Sequence, residues 1–234
     1  MRLLALDTST RLGGAAIVED ERPLGAVWMG VARDQSERAL SVVADLLQAT
    51  GTARPDAVAV VAGPGSFTGL RIGVVSAKAL AYAWNVPLIG VDGLEALAWQ
   101  AAAQDRILCP LVDARRQHVY GALFRGRPDG PPVRLSPTRH QPLGELLAAA
   151  LEAGEGPIAC LGDGLLSHRE RVAGTIGARL DWLAPGETLL HPLSVAALGR
   201  ARLEQGERAD WLTLVPQYSK ESEAEAKWRT SSES

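Results

Sequence analysis

The stretch VVAGPGSFTGLRIGVVSAKALA, Val60 to Ala81, decides how the rest of the chain is read. An apolar run enters Gly63-Pro64-Gly65, and a helical pattern then continues to near Trp84. A glycine-rich turn between a strand and a helix is where phosphates are often cradled. Spacing excludes the three sharp forms of that idea. A Walker A loop needs Lys directly after its last glycine, but Gly69 is followed by Leu70 and Arg71, and the nearest Lys is Lys78. A dinucleotide fingerprint needs glycine where Thr68 stands. A nucleophile elbow around Ser66 needs glycine where Pro64 and Thr68 stand.

What remains is a stripe. Gly69, Gly73, Ala77 and Ala81 recur every fourth residue and share one helical face. Glycine inside a helix costs about 1 kcal/mol against alanine, so a face this bare implies close approach by another element. Ser66 or Thr68 caps the helix start. The stripe meets either the protein's own sheet or a helix of a partner. The preceding helix, expected over 36–50 with Ser36 as N-cap and Gly51 as stop, favours the second reading. Leu40, Val43 and Leu47 form one apolar row on it, and Ala39, Val42 and Leu46 another. Two such helices carry more apolar surface than one sheet face covers.

Outward from this pair, LLAL (Leu3 to Leu6) is a short buried strand ending in Asp7, followed by the turn Thr8-Ser9-Thr10-Arg11. AAIVED and LGAVWMGV are two more strands, so the chain opens as an antiparallel meander. Further on, ILCPLV ends in Asp113, a polar turn carries Arg115, and HVYGALF returns as a strand. Both segments read strand, Asp, turn with Arg, strand, an internal repeat that divides the chain near Asp105. The expected organisation is α/β: a first half over 1–104, a second over 105–219 and a polar tail over 220–234, the tail mobile unless bound. LGELLAAALEAG and HPLSVAALGRARLEQG are helices of the second half, PIACLGD is a strand and DGPPVRLSP a connector. Asp7 and Asp113, with Thr8 and Ser9, either form two halves of a nucleotide or metal site at strand ends or merely hold their turns. CLGDGL is the nearest candidate for a second phosphate loop.

The chain has 234 residues, 47% hydrophobic and 22% charged, with a net charge of -3. Such a balance gives no general attraction for nucleic acid. Lys occurs only at Lys78, Lys220 and Lys227, so basic charge is carried by Arg. Cys109 and Cys160 lie in apolar runs and read as small core residues. His118, His140, His168 and His191 show no metal spacing, so no metal site is expected. No apolar run reaches a membrane span, the start is too quickly polar for a signal peptide, and a reducing cytoplasm is the expected setting.

With these residues in view, the chain resembles the TsaB (YeaZ) family over nearly its whole length. LLALDTST, AGPGSFTGLRIGVVSAKALA, PLIGVDGLEALA and LVDARRQHVYGALF carry the resemblance, and PQYSKESEAEAKW follows more loosely. The resemblance implies the actin/Hsp70/hexokinase fold, two ribonuclease-H-like halves. It implies a non-catalytic subunit of the bacterial machinery for the threonylcarbamoyl modification of tRNA adenosine beside the anticodon (t6A). Such a subunit pairs with a TsaD-type catalytic subunit, joins a TsaE-type ATPase, pairs with itself, and meets tRNA only indirectly. ATP and a metal ion then belong to the partners, and no cofactor is expected here. The pairing helices are those at 36–50 and 66–84. The expected interface residues are Leu40, Val43, Leu47, Phe67, Thr68, Gly69, Arg71, Ile72, Gly73, Ser76, Ala77, Leu80 and Ala81. In the catalytic relatives the matching helix bears paired histidines; here Gln35 and Ala39 stand instead. Two alternatives stay open: a stand-alone ATPase or small-molecule kinase of the same fold, and a metallopeptidase, which lacks visible ligands.

Overall fold

The computed structural model describes residues 1–30 and 35–218, without the side chains of residues 35–37 and 185. The tail over 220–234 therefore lies outside the described residues.

The first half is a sheet of five strands in the order β3-β2-β1-β4-β5. Its members are β1 (Arg2–Asp7), β2 (Gly13–Glu19), β3 (Arg22–Met29), β4 (Ala57–Gly63) and β5 (Leu88–Asp92). The meander β1–β2–β3 is antiparallel, and β4 and β5 continue it in parallel. Two helices, α1 (Gln35–Ala49) and α2 (Phe67–Trp84), lie on one face. Leu4 and Leu6 of β1 and Val58 and Val60 of β4 point to that face, while Leu3, Ala5, Ala57, Ala59 and Val61 point to the other. Both faces are covered, which is why these strands read as unbroken apolar runs instead of alternating ones. Helix α1 begins at Gln35, one residue before the expected cap Ser36, whose side chain lies outside the described ones.

The second half repeats the plan. Strand β6 (Ile107–Asp113) pairs in parallel with β11 (Ile158–Leu161) on one side. On its other side it pairs antiparallel with β7 (His118–Gly121) and β8 (Phe124–Arg125). Leu111↔Gly121 and Leu108↔Phe124 share one register, so β7 and β8 are a single strand interrupted at Ala122 and Leu123. The interruption has a cause in β6: the Ala122 amide donates to the Pro110 carbonyl, and Pro110 has no N–H to return the bond. Outside them lie β9 (Val133–Arg134), within the stretch expected to be a connector, and β10 (Arg139–Pro142). Helices α4 (Leu143–Glu152) and α6 (Arg169–Ile176) cover one face. The spatial order is again third, second, first, fourth strand. Two sheets of this ribonuclease-H order, one per half, make the actin/Hsp70/hexokinase arrangement.

The halves share one core. Leu94, Leu97 and Ala98 of α3 (Gly93–Gln100) lie between Val61 and Val91 of the first sheet and Leu108, Phe124 and Leu161 of the second. The division by packing differs from the expected division at 105 and 219. After the short α7 (Pro185–Thr188), helix α8 (Pro192–Glu204) returns to the first sheet, where Val195 and Leu198 pack on its open face. The following segment stays there: the Ala209 amide donates to Leu88 and the Gln217 amide to Ala62. Cys109 and Cys160, far apart in sequence, are register partners on β6 and β11 and lie side by side in the core. Their mutual contact and burial push the Cys109 thiol pKa well up. Among the described residues no helix is long and apolar enough to cross a membrane.

Candidate functional site

Helix α2 starts where β4 ends in the glycine turn. Ser66 is its N-cap and accepts from the Gly69 amide at 3.4 Å; Asn85, left-handed at φ 52°, closes its far end. The small-residue stripe faces inward. Gly73, Ala77 and Ala81 are buried in the core formed with β1 and β4. A Cβ on Gly69 would fall on the Thr8 carbonyl oxygen, and one on Gly73 would meet the Thr8 hydroxyl. Thr8 Oγ1 in turn donates to the Gly69 carbonyl at 2.6 Å. The glycines admit the β1–β2 turn, not a partner helix. This corrects the expectation for Gly73, Ser76, Ala77 and Ala81, and for Val43 of α1, all buried within the chain's own fold. The reason is geometric: the stripe sits on the side of α2 that the sheet needs closest.

The opposite side of α2 is open. Phe67 is 39% exposed, Val75 64% and Tyr82 64%, with Thr68 and Arg71 exposed beside them. Leu40 of the neighbouring α1 is 48% exposed, and Ile72, Leu80 and Leu47 are half-buried at the edge. The returning segment 209–218 runs along this face. Phe67 packs against Tyr218 with ring centroids 4.8 Å apart and Tyr82 against Trp211 at 4.7 Å, both pairs tilted. Lys78 Nζ donates to the carbonyls of Leu212 at 3.3 Å and Leu214 at 3.1 Å. Arg71 lies over the Phe67 ring at 3.8 Å, and its Nε donates to the Tyr218 hydroxyl at 2.9 Å. The strap adds further exposed apolar groups, Leu212 at 65% and Val215 at 64%. A patch of this kind on a folded surface marks an interaction site.

A second cluster lies where the halves meet. Asp7 is buried and accepts from the Ser9 amide at 2.7 Å, the Ser9 hydroxyl at 2.6 Å and the Thr10 hydroxyl at 3.3 Å. The Ser9 carbonyl accepts from the Ser66 amide at 2.7 Å. Asp7, Thr8 and Ser9 thus hold the start of α2 inside the fold. Asp113 accepts from the Arg115 amide at 2.9 Å, Arg11 Nη2 at 3.3 Å and the Ser167 hydroxyl at 3.0 Å. Asp163, the first residue of α5 (Asp163–Ser167), accepts from the amides of Asp113 at 3.0 Å and Arg11 at 3.4 Å. Burial pushes the carboxyl pKa of Asp7 and of Asp163 up, against the hydrogen bonds they accept. CLGDGL forms no open loop: a Cβ on Gly162 would fall on the Leu111 carbonyl oxygen. Among the described residues no three His, Cys, Asp or Glu side chains are grouped as a metal-ion site.

Known proteins agree with this architecture. A family model described as TsaD, tRNA N6-adenosine threonylcarbamoyltransferase, matches residues 18–127. The tRNA threonylcarbamoyladenosine biosynthesis protein TsaB of Bacillus subtilis is 32% identical over 97% of this chain and 98% of its own. The chain belongs to the TsaB family. The TsaB protein of Escherichia coli is 37% identical over 56% of this chain and 58% of its own. A Pseudomonas aeruginosa crystal structure, described as an uncharacterized protein with similarity to peptidase YEAZ, superposes with TM-score 0.79. It is 28% identical, covering 94% of this chain and 99% of that one.

For a member of this family, the sequence found both helices of the open face but not which side of α2 is open. Leu40, Phe67, Thr68 and Arg71 lie on it, and Val75, Tyr82 and the strap were missed. Val75 and Tyr82 continue the row Phe67, Arg71 at helical spacing, a signal present in the sequence. Asp163 was missed too, although the apolar run PIACL is followed two residues on by Asp, much as LLAL and ILCPLV are followed by theirs.

Proposed function

We propose that this chain is the non-catalytic scaffold and activator subunit of the cytoplasmic assembly that installs the threonylcarbamoyl group on tRNA adenosine beside the anticodon. It acts by pairing with a TsaD-type catalytic subunit. The observation that carries the reading is the outward face of α2, an apolar row extended by an aromatic strap while the small residues are consumed inside. Membership in a family named for t6A biosynthesis supplies the pathway. The same face serves self-pairing when the partner is absent, and a TsaE-type ATPase joins the assembled pair. ATP and metal are held by the partners. The Thr8 hydroxyl donates to the Gly69 carbonyl and the Ser9 hydroxyl to Asp7, so both are engaged within the fold rather than turned toward a phosphate.

The test is co-purification with the native TsaD-type subunit, followed by t6A formation with and without this chain. Alone, the chain forms no t6A; added to the partner, it raises the rate. Unassisted ATP turnover by the purified chain would contradict the scaffold reading.

A further inference from the structure

The turn between β6 and β7 holds Arg115, Arg116 and Gln117 at φ 65°, 50° and 62°. None is Gly, Asn or Asp, the residues that enter the left-handed region cheaply. A turn kept in this state has surroundings that over-determine it, and such strain concentrates where a surface has a task. The surroundings are visible. Asp113 accepts from the Arg115 amide at 2.9 Å, and the His118 amide donates to the Arg115 carbonyl at 2.9 Å. The Leu143 amide donates to the Gln117 carbonyl at 3.0 Å, and the Arg171 guanidinium binds the Gln117 side chain.

The outcome is a corner of guanidinium groups. Arg115 and Arg116 are exposed, and among the described residues no carboxylate pairs with either. Arg11 reaches across from the equivalent turn of the first half to Asp113, with its side chain 62% exposed. Arg171 is fixed on the same turn through Gln117. Four guanidinium groups stand against the three carboxylates of the turn floor, Asp113 half-buried and Asp7 and Asp163 buried beneath it. For a chain of net charge -3 the corner is a local reversal. It also adjoins the open face, since Ser9, two residues before Arg11, holds the Ser66 amide at the start of α2.

We propose that the corner formed by Arg11, Arg115, Arg116 and Arg171 contacts the phosphate backbone of the tRNA that the assembled complex modifies. Guanidinium forks match phosphate oxygens, and an extended polyanion can engage several exposed arginines at once where a compact anion cannot. This departs from the expectation that tRNA is met only through the partner, and it rests on the t6A reading above.

The experiment uses the complex with the TsaD-type subunit and an unmodified tRNA transcript, followed by fluorescence anisotropy at several salt concentrations. The double variant Arg115→Asn, Arg116→Gly removes both charges and relaxes the turn. Its melting temperature should rise by about 2–4 °C, and it should elute with the partner as the wild type does. Transcript affinity should fall about tenfold, with the salt dependence shallower by about one to two phosphate contacts. Arg11→Gln, on a different element, should weaken binding in the same direction. Unchanged affinity and salt slope in both variants would overturn the proposal. So would loss of pairing, which makes the corner a protein contact, or displacement of the transcript by millimolar ATP, which makes it a nucleotide site. A wild-type chain that fails to raise t6A formation refutes the pathway reading instead, and transcript binding then judges the corner separately.

Discussion

Gly69, Gly73, Ala77 and Ala81 line one side of α2, and Phe67, Arg71, Val75 and Tyr82 line another. The inner row repeats every fourth residue and the outer one at intervals of four, four and seven, both helical spacings, and both look suited to meeting a neighbour. The inner row is bare because the turn after β1 must come within a hydrogen bond of the helix backbone, as Thr8 does on Gly69. The outer row is bulky and, Arg71 apart, apolar, yet only a narrow strap lies along it, leaving Val75 64% exposed. Small residues therefore mark where the chain approaches itself most closely, and large exposed ones mark where it leaves room for another molecule.

The comparison breaks most sharply at Gly73. A leucine there collides with Thr8, and overpacking of this kind should cost about 3 kcal/mol. Thermal melts of Gly73→Leu should show that loss with or without a partner present. On the outer row, Val75→Arg should melt within about 0.5 kcal/mol of wild type. It should nevertheless weaken pairing with the TsaD-type subunit about thirtyfold or more, as loss of an interface anchor does. Calorimetric titration reads the second number and thermal melts the first. Reversed results at these two positions would exchange the roles of the two sides.

A third prediction concerns the other face of the sheet on which α2 rests. His191 caps α8 by accepting from the Leu193 amide at 3.2 Å and meets Trp28 edge-on at 4.3 Å. Burial lowers its pKa in the folded state. A lowered folded pKa means that its contribution is present above the ordinary value near 6.5 and is lost as pH falls through the folded value. Melting temperature should drop on acidification below pH about 6.5. His191→Asn, which caps without titrating, should flatten that part of the profile, whereas His191→Ala should cost about 1 kcal/mol at neutral pH.

The smallest effect is expected at Asp7. Its pKa is raised by burial, so its ionised form is disfavoured in the fold; the stabilisation is present below the unfolded pKa and lost as pH rises through the folded one. Asp7→Asn keeps an acceptor for the Ser9 amide and sheds the buried charge. Stability at neutral pH should stay equal or rise by up to about 1 kcal/mol, with t6A formation by the reconstituted pair unchanged. Loss of t6A formation in a well-folded Asp7→Asn chain would place nucleotide chemistry at this turn after all.

Much of this fold is legible in the sequence. Strands buried on both faces leave unbroken runs such as AVAVVAG, and the repeated strand-Asp-turn announces the two halves. The direction of the α2 stripe is not legible, because glycine and alanine look the same whether a sheet or a stranger lies against them. The strap over 209–218 shows no period, since backbone bonds from Ala209 and Gln217 and two separated aromatic contacts, at Trp211 and Tyr218, hold it. The short helices between Asp163 and Thr188 fall below the length at which periodicity can speak. The basic corner is visible only in three dimensions, because Arg11 and Arg115 stand in different halves of the chain.

The most direct measurement joins the two rows in one protein. Leu40→Arg and Val75→Arg are placed together in a chain that keeps every inner residue, and t6A formation is measured with the TsaD-type subunit. The double variant should keep a wild-type melting curve, elute separately from the TsaD-type subunit and leave t6A formation no higher than the catalytic subunit reaches alone. Normal co-elution with full t6A formation would contradict it.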